Sequence, residues 1–188
     1  MRPIYKTQVH PLEVYFSRLR DIRGAGIGQN ETSYYDALAT LLTTYGRKLN
    51  PRVTCVMQIR NQGAGIPDGG LFTAEQLRGH RDRAEQVPSR GVIEAKAFNA
   101  DVERVSQTEQ VRNYLGRYGL VLVTNFREFL LLDLDRNGNP RRVGCALSCR
   151  CPQRNRSQRL SVDLVRWLSD TRQRSMNSFS EVCCTMPL

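Results

Sequence analysis

Two stretches of the chain plant charged side chains among apolar ones. "GIPDGG" (65–70) carries Asp68, and "GVIEAKAF" (91–98) carries Glu94 and Lys96 in an otherwise apolar strand. A charge inside a buried strand is costly unless something pairs with it. Alternate strand residues share a face, so Glu94 and Lys96 point together while Ile93 and Ala95 point the other way. Pro67 restricts the backbone before Asp68, and Gly69 and Gly70 after it let the strand bend. If the two strands pair antiparallel, Asp68 and Glu94 can meet. Two converging carboxylates repel each other unless a cation lies between them. Oxygen-only ligands suit a hard ion, Mg²⁺ first and Mn²⁺ as its substitute, which keeps several waters and takes further oxygens from a phosphate. Lys96 then has two available jobs. It can orient and help deprotonate an attacking water, or it can stabilise a pentavalent phosphorane. The plainer reading is a structural ion pair, and an isolated E-x-K would be read that way. The apolar strand around the pair, the P-D beside glycines and a polar helix at the right distance favour the metal site.

The elements that must position these groups are legible in outline. "PLEVYFSRLRDI" (11–22) reads as an amphipathic helix opened by Pro11. "RGAGIGQN" is a glycine-rich connector, since no strand precedes it and no Lys-Ser/Thr follows. A second helix runs through Tyr34, Leu38, Leu41, Leu42 and Tyr45, with Asn30 as its cap, and stops near Gly46. "VTCVMQI" (53–59) is a strand, and a short second strand follows the turn at Asp68. Residues 73–90 are polar and read as an exposed helix-plus-loop insertion. After the "GVIEAKAF" strand, 101–119 reads as one helix, in which Gln110 and Tyr114 fall four apart on one face. "LVLVTN" and "FREFLLLDL" are two strands joined by a tight turn at Asn125–Arg127. The expected class is α/β: a mixed sheet flanked by helices.

Composition bounds the partners. The chain has 188 residues with 28 Lys+Arg against 18 Asp+Glu, a formal net charge of +10. A polyanion such as nucleic acid is a plausible partner for that balance. The plainer account is arginine-rich coding, since only Lys6, Lys48 and Lys96 are lysines. The charge is uneven: residues 141–188 hold nine arginines and three acids, and five of the six cysteines. That region is expected to be a basic, poorly structured tail with one short helix through Leu160, Leu164, Trp167 and Leu168, so that the folded domain spans 1–140. Zinc at Cys145, Cys149, Cys151, Cys183 and Cys184 is not favoured, because the spacing matches no standard knuckle. No apolar run has transmembrane length, so a cytoplasmic protein with reduced thiols is expected.

Pro67-Asp68 followed by Glu94-Ala95-Lys96 resembles the PD-(D/E)xK nuclease superfamily. Gln110-x3-Tyr114 on the next helix resembles a motif of one large branch, in which the pair reaches toward the active site and the DNA. In that branch an acid of the first helix contributes near the metal. Glu31 is the matching position and Asp36 the alternative, although the helix dipole explains a Glu at that place equally well. Over roughly residues 10–135 the chain resembles the N-terminal nuclease region of single-polypeptide restriction–modification enzymes. The resemblance implies a restriction-endonuclease-like core and Mg²⁺-dependent cleavage of DNA. Asp68, Glu94 and Glu31 would be metal ligands, and Asp68, Glu94, Lys96, Gln110 and Tyr114 the catalytic group. No N-P-P-Y or F-x-G-x-G occurs, so the methyltransferase part is absent. A truncated or frame-disrupted product, or a stand-alone nuclease working with a methyltransferase or specificity polypeptide, would account for that. The alternative is an inactive nucleic-acid-binding fragment.

Overall fold

The computed structural model describes residues 9–26, 30–78 and 86–147, with side chains described as far as Gly144. The order is α1 (Pro11–Gly24), a 3-10 turn (Glu31–Tyr34), α2 (Tyr35–Gly46), β1 (Val53–Met57), β2 (Gly69–Thr73), α3 (Ala74–Arg78) and β3 (Val92–Ala95). Then follow α4 (Val102–Ser106), α5 (Glu109–Tyr118), β4 (Leu120–Thr124), β5 (Glu128–Leu134) and β6 (Pro140–Leu147). The six strands lie side by side in chain order. Every neighbouring pair is antiparallel except β3 and β4, which run parallel. A parallel pair needs a long crossover, and α4 and α5 supply it.

Strand alternation builds two cores. Ile93, Ala95, Leu120, Leu122, Phe129 and Leu131 face α1 and α2. Val92, Val121, Val123, Leu130 and Leu132 face the α4–α5 side with Val111, Tyr114 and Leu115. With both faces covered, the central strands read as nearly continuous apolar runs. Glu94, two residues after Val92 and so of the same parity, therefore belongs to the α5 face, in the middle of that run. The class anticipated from sequence, a mixed sheet flanked by helices, is the architecture found.

Several boundaries differ from the sequence reading. Residues 101–119 form two helices. Thr108 breaks them, its hydroxyl accepting from the Val111 N–H and so capping α5. Asn30 stands at the start of the 3-10 turn, but its side chain makes no capping bond. The core does not stop at residue 140, because β6 pairs with β5 along its length. Arg141 holds the buried Asp133 carboxylate through two bonds, from Nε at 3.1 Å and Nη2 at 3.0 Å. Of the 73–90 insertion, α3 and the segment from residue 86 are described, and residues 79–85 lie outside the described residues. So do residues 148–188, which carry the proposed tail helix and Cys149, Cys151, Cys183 and Cys184. Among the described residues no helix is long and apolar enough to cross a membrane.

Candidate active site

Asp68 ends the loop that enters β2. The antiparallel register pairs Gly69 with Ile93 and Gly70 with Val92. One step further along that register Asp68 stands opposite Glu94, where directly facing residues have Cβ atoms about 5 Å apart. Gly69 and Gly70 do not bend the chain here, for both are paired within β2. They are needed for close approach. A Cβ on Gly69 would lie 2.7 Å from Met57 Sδ, and one on Gly70 would lie 2.6 Å from Pro88 Cγ.

Two donors fix the Asp68 carboxylate. The Tyr35 hydroxyl of α2 donates to Oδ1 at 2.6 Å, and the Ala95 N–H of β3 donates to Oδ2 at 2.8 Å. Tyr35 was absent from the sequence reading, although its signal was available. It precedes Leu38 and Leu42 on the buried face of α2, and a buried tyrosine hydroxyl seeks a polar partner. Burial lifts the Tyr35 hydroxyl pKa far above its ordinary value, and the bond to Asp68 lifts it further. It is therefore a donor throughout the accessible pH range.

Glu94 is 1% exposed. Its Oε1 lies 2.6 Å from Lys96 Nζ, and its Oε2 accepts a long bond of 3.5 Å from Gln110 Nε2 of α5. Gln110 also donates to the Tyr114 hydroxyl at 2.8 Å. Burial pushes the Glu94 carboxyl above the usual range; Lys96 pulls it back, while the nearby charges of Asp68 and Glu31 add to the rise. Burial also works against the Lys96 ammonium, but Glu94, Asp68 and Glu31 more than offset it and hold its pKa above the ordinary value. Lys96 is a cation at neutral pH, and 35% of its side chain remains open to solvent.

The fold thus gathers Asp68, Glu94, Lys96, Gln110 and Tyr114 at one end of β2, β3 and α5. Glu31, on the 3-10 turn, is close enough for its charge to act on Glu94, Lys96 and Tyr35. It does not complete an enclosed ligand set: among the described residues no three His, Cys, Asp or Glu side chains are grouped to hold a metal ion. Asp36, the alternative acid, instead pairs with Arg18 at 3.1 Å on the exposed side of α2.

One solved structure with a similar fold is a cryoEM structure of a DrdV–DNA complex. The TM-score is 0.59 at 18% identity, over 84% of this chain. The fold is restriction-endonuclease-like. This chain matches only 13% of the length of that one. No family model matches the sequence, and no curated protein matches it.

The donor chemistry fits a hard divalent cation. Asp68 and Glu94 offer oxygen alone. Each Asp68 oxygen accepts one bond in the fold, and a carboxylate oxygen has a second lone pair to give. Two protein carboxylates with water and phosphate filling the other positions are a common arrangement for Mg²⁺.

Proposed function

We propose that the chain is a Mg²⁺-dependent DNA endonuclease, with Mn²⁺ able to substitute. The observation that carries this is the meeting of Asp68, Glu94 and Lys96 at one sheet end, with Lys96 open to solvent. Asp68 and Glu94 would hold the ion, with Glu31 as a nearby acid. When bound, such an ion polarises a phosphodiester and makes an attacking water more acidic. Tyr35 and the Ala95 N–H hold Asp68 in one orientation. The Lys96 ammonium is placed to orient the water or to stabilise charge on the phosphorane oxygens. Gln110 ties Tyr114 to Glu94 and lines the same opening.

Two independent features support DNA as the substrate. The chain carries a net charge of +10, and its fold is similar to that of a protein solved in complex with DNA. Arginines of the 73–90 insertion and of the C-terminal region would add phosphate contacts, which position DNA without reading its sequence. A methyltransferase or specificity polypeptide would then supply the target choice.

A second reading has its own observation. Both Glu94 oxygens already have partners, Lys96 and Gln110, as a structural pair in an inactive DNA-binding fragment would. Nicking of supercoiled plasmid separates the two. The nuclease reading expects Mg²⁺-dependent nicking that is abolished in Glu94→Ala and by chelation. Cleavage that survives in the alanine variant rules out this site. DNA binding without cleavage, with or without the product of an adjacent gene, establishes the inactive fragment.

A further inference from the structure

We propose that Arg23 and Arg127 form a phosphate-gripping subsite beside Lys96 that seats the DNA backbone next to the scissile bond. This rests on the nuclease reading for its place in the reaction, but its physical basis is separate. A cleft of about 310 Å³ opens immediately after Lys96, lined by Arg23, Glu31, Tyr34, Ala97, Phe98 and Phe126 among others. Glu31 relates it to the candidate active site, since the same residue lines the cleft and its charge acts on Glu94 and Lys96.

Two guanidinium groups converge on the Phe98 ring, Arg23 from within the cleft and Arg127 from beside it. Arg23, at the end of α1, lies 4.6 Å from the Phe98 centroid, and Arg127, in the β4–β5 turn, lies 6.0 Å from it. Four other arginines are committed to carboxylates: Arg18 to Asp36, Arg104 to Asp101, Arg141 to Asp133 and Arg142 to Glu103. Arg23 and Arg127 form no ion pair among the described residues. Stacking on an aromatic face orients a guanidinium without using its N–H donors. Among the described residues neither guanidinium makes a side-chain hydrogen bond, which leaves its donors for the bidentate contacts that phosphate oxygens favour.

The platform is rigid. Tyr34 and Phe126 brace the Phe98 ring, with centroids 5.1 and 6.2 Å away. Phe126 holds a positive φ of 68°, a conformation that costs a bulky residue energy unless its surroundings impose it. They do so here. The Phe126 N–H donates to Thr124 Oγ1 at 2.9 Å, and the Arg127 and Glu128 N–H groups donate to Asn125 Oδ1 at 3.1 and 2.8 Å. The Tyr15 hydroxyl of α1 donates to the Phe126 carbonyl at 2.8 Å. That bond ties the helix bearing Arg23 to the turn bearing Arg127. The turn fixes the backbone that carries Arg127, and the Tyr15 bond anchors the helix that carries Arg23 against it.

The test is salt-dependent binding of a fluorescent DNA duplex to the full chain in EDTA, with plasmid nicking in Mg²⁺ run in parallel. Each phosphate contact contributes about 0.9 to the slope of log K against log salt. Arg23→Gln and Arg127→Gln should each weaken binding several-fold and lower the slope by about one, and the double variant by about two. Arg23→Lys and Arg127→Lys, which keep the charge, should restore the slope, an outcome that a packing role would not produce. Arg104→Gln should leave it unchanged. If Arg23→Gln lowers the melting temperature, the lysine variant and Arg127→Gln carry the test. Unchanged slopes in both glutamine variants, or an equal loss in Arg104→Gln, overturn the subsite even when the wild type nicks DNA. Slope losses at Arg23 and Arg127 without any nicking support the phosphate contacts and overturn only the catalytic reading. A wild type that binds no DNA overturns both.

Discussion

Replacing Tyr35 with Phe deletes one oxygen from the candidate site and little else. The ring stays in the core, 6.3 Å from that of Phe126, and only the donor to Asp68 Oδ1 is lost. A hydrogen bond to a charged group is worth about 1.5–3 kcal/mol net. Asp68 is half-buried and keeps the Ala95 N–H at 2.8 Å, so the lower half of that range applies. About 1.5–2 kcal/mol of orientation corresponds to roughly a 10–30-fold fall in rate if Asp68 must be held for catalysis. Tyr35 is 8% exposed and offers little surface to a bound duplex, so binding should be unaffected and the loss should appear in kcat. Because its hydroxyl stays protonated far above the ordinary tyrosine range, the defect should be the same at pH 7 and pH 9. The assay is initial-rate nicking of supercoiled plasmid at saturating DNA across a Mg²⁺ titration. A Tyr35→Phe variant that nicks within twofold of wild type at every Mg²⁺ concentration refutes the argument that this bond positions the carboxylate.

Two further expectations concern the scaffold. Gly91, just before β3, has φ +96°, and a Cβ there would lie 2.6 Å from the Leu120 carbonyl oxygen of β4. Gly91→Ala should cost about 3 kcal/mol or more from backbone strain and displacement of β4, read as a lower urea midpoint; a midpoint equal to wild type would show that the strands yield freely. Burial raises the Cys55 thiol from 9.0 to about 12. Its contribution to stability is therefore complete below about pH 9 and is lost as pH rises toward 12, by at most about 1.4 kcal/mol per pH unit. The folded chain at pH 8 should resist alkylation at Cys55 until denaturant is added, as mass spectrometry would show, and the alkaline decline should be shallower in Cys55→Ala. Rapid labelling of Cys55 under native conditions would contradict its placement beneath α2.

Local pattern and long-range packing divided the information between them. Parity within one strand put Glu94 and Lys96 on a common face, four-residue spacing put Gln110 beside Tyr114, and the apolar runs at 92–95 and 120–124 announced central strands. These are properties of a single element, and a sequence repeats them faithfully. The tertiary fold alone decided that Tyr35, 33 residues away, holds Asp68, and that Gln110 reaches Glu94 across the β3–β4 crossover. It also decided that Arg23 and Arg127 share one ring. β6 was invisible in the sequence because it is an edge strand. Residues 140–143 are exposed, with Pro140, Arg141 and Arg142 among them, and an exposed strand start of that composition shows no apolar alternation. Its partner Asp133, buried eight residues earlier, became explicable only once the pairing was known. Periodicity reports which residues share a side of an element; which elements then meet depends on contacts that no local window contains.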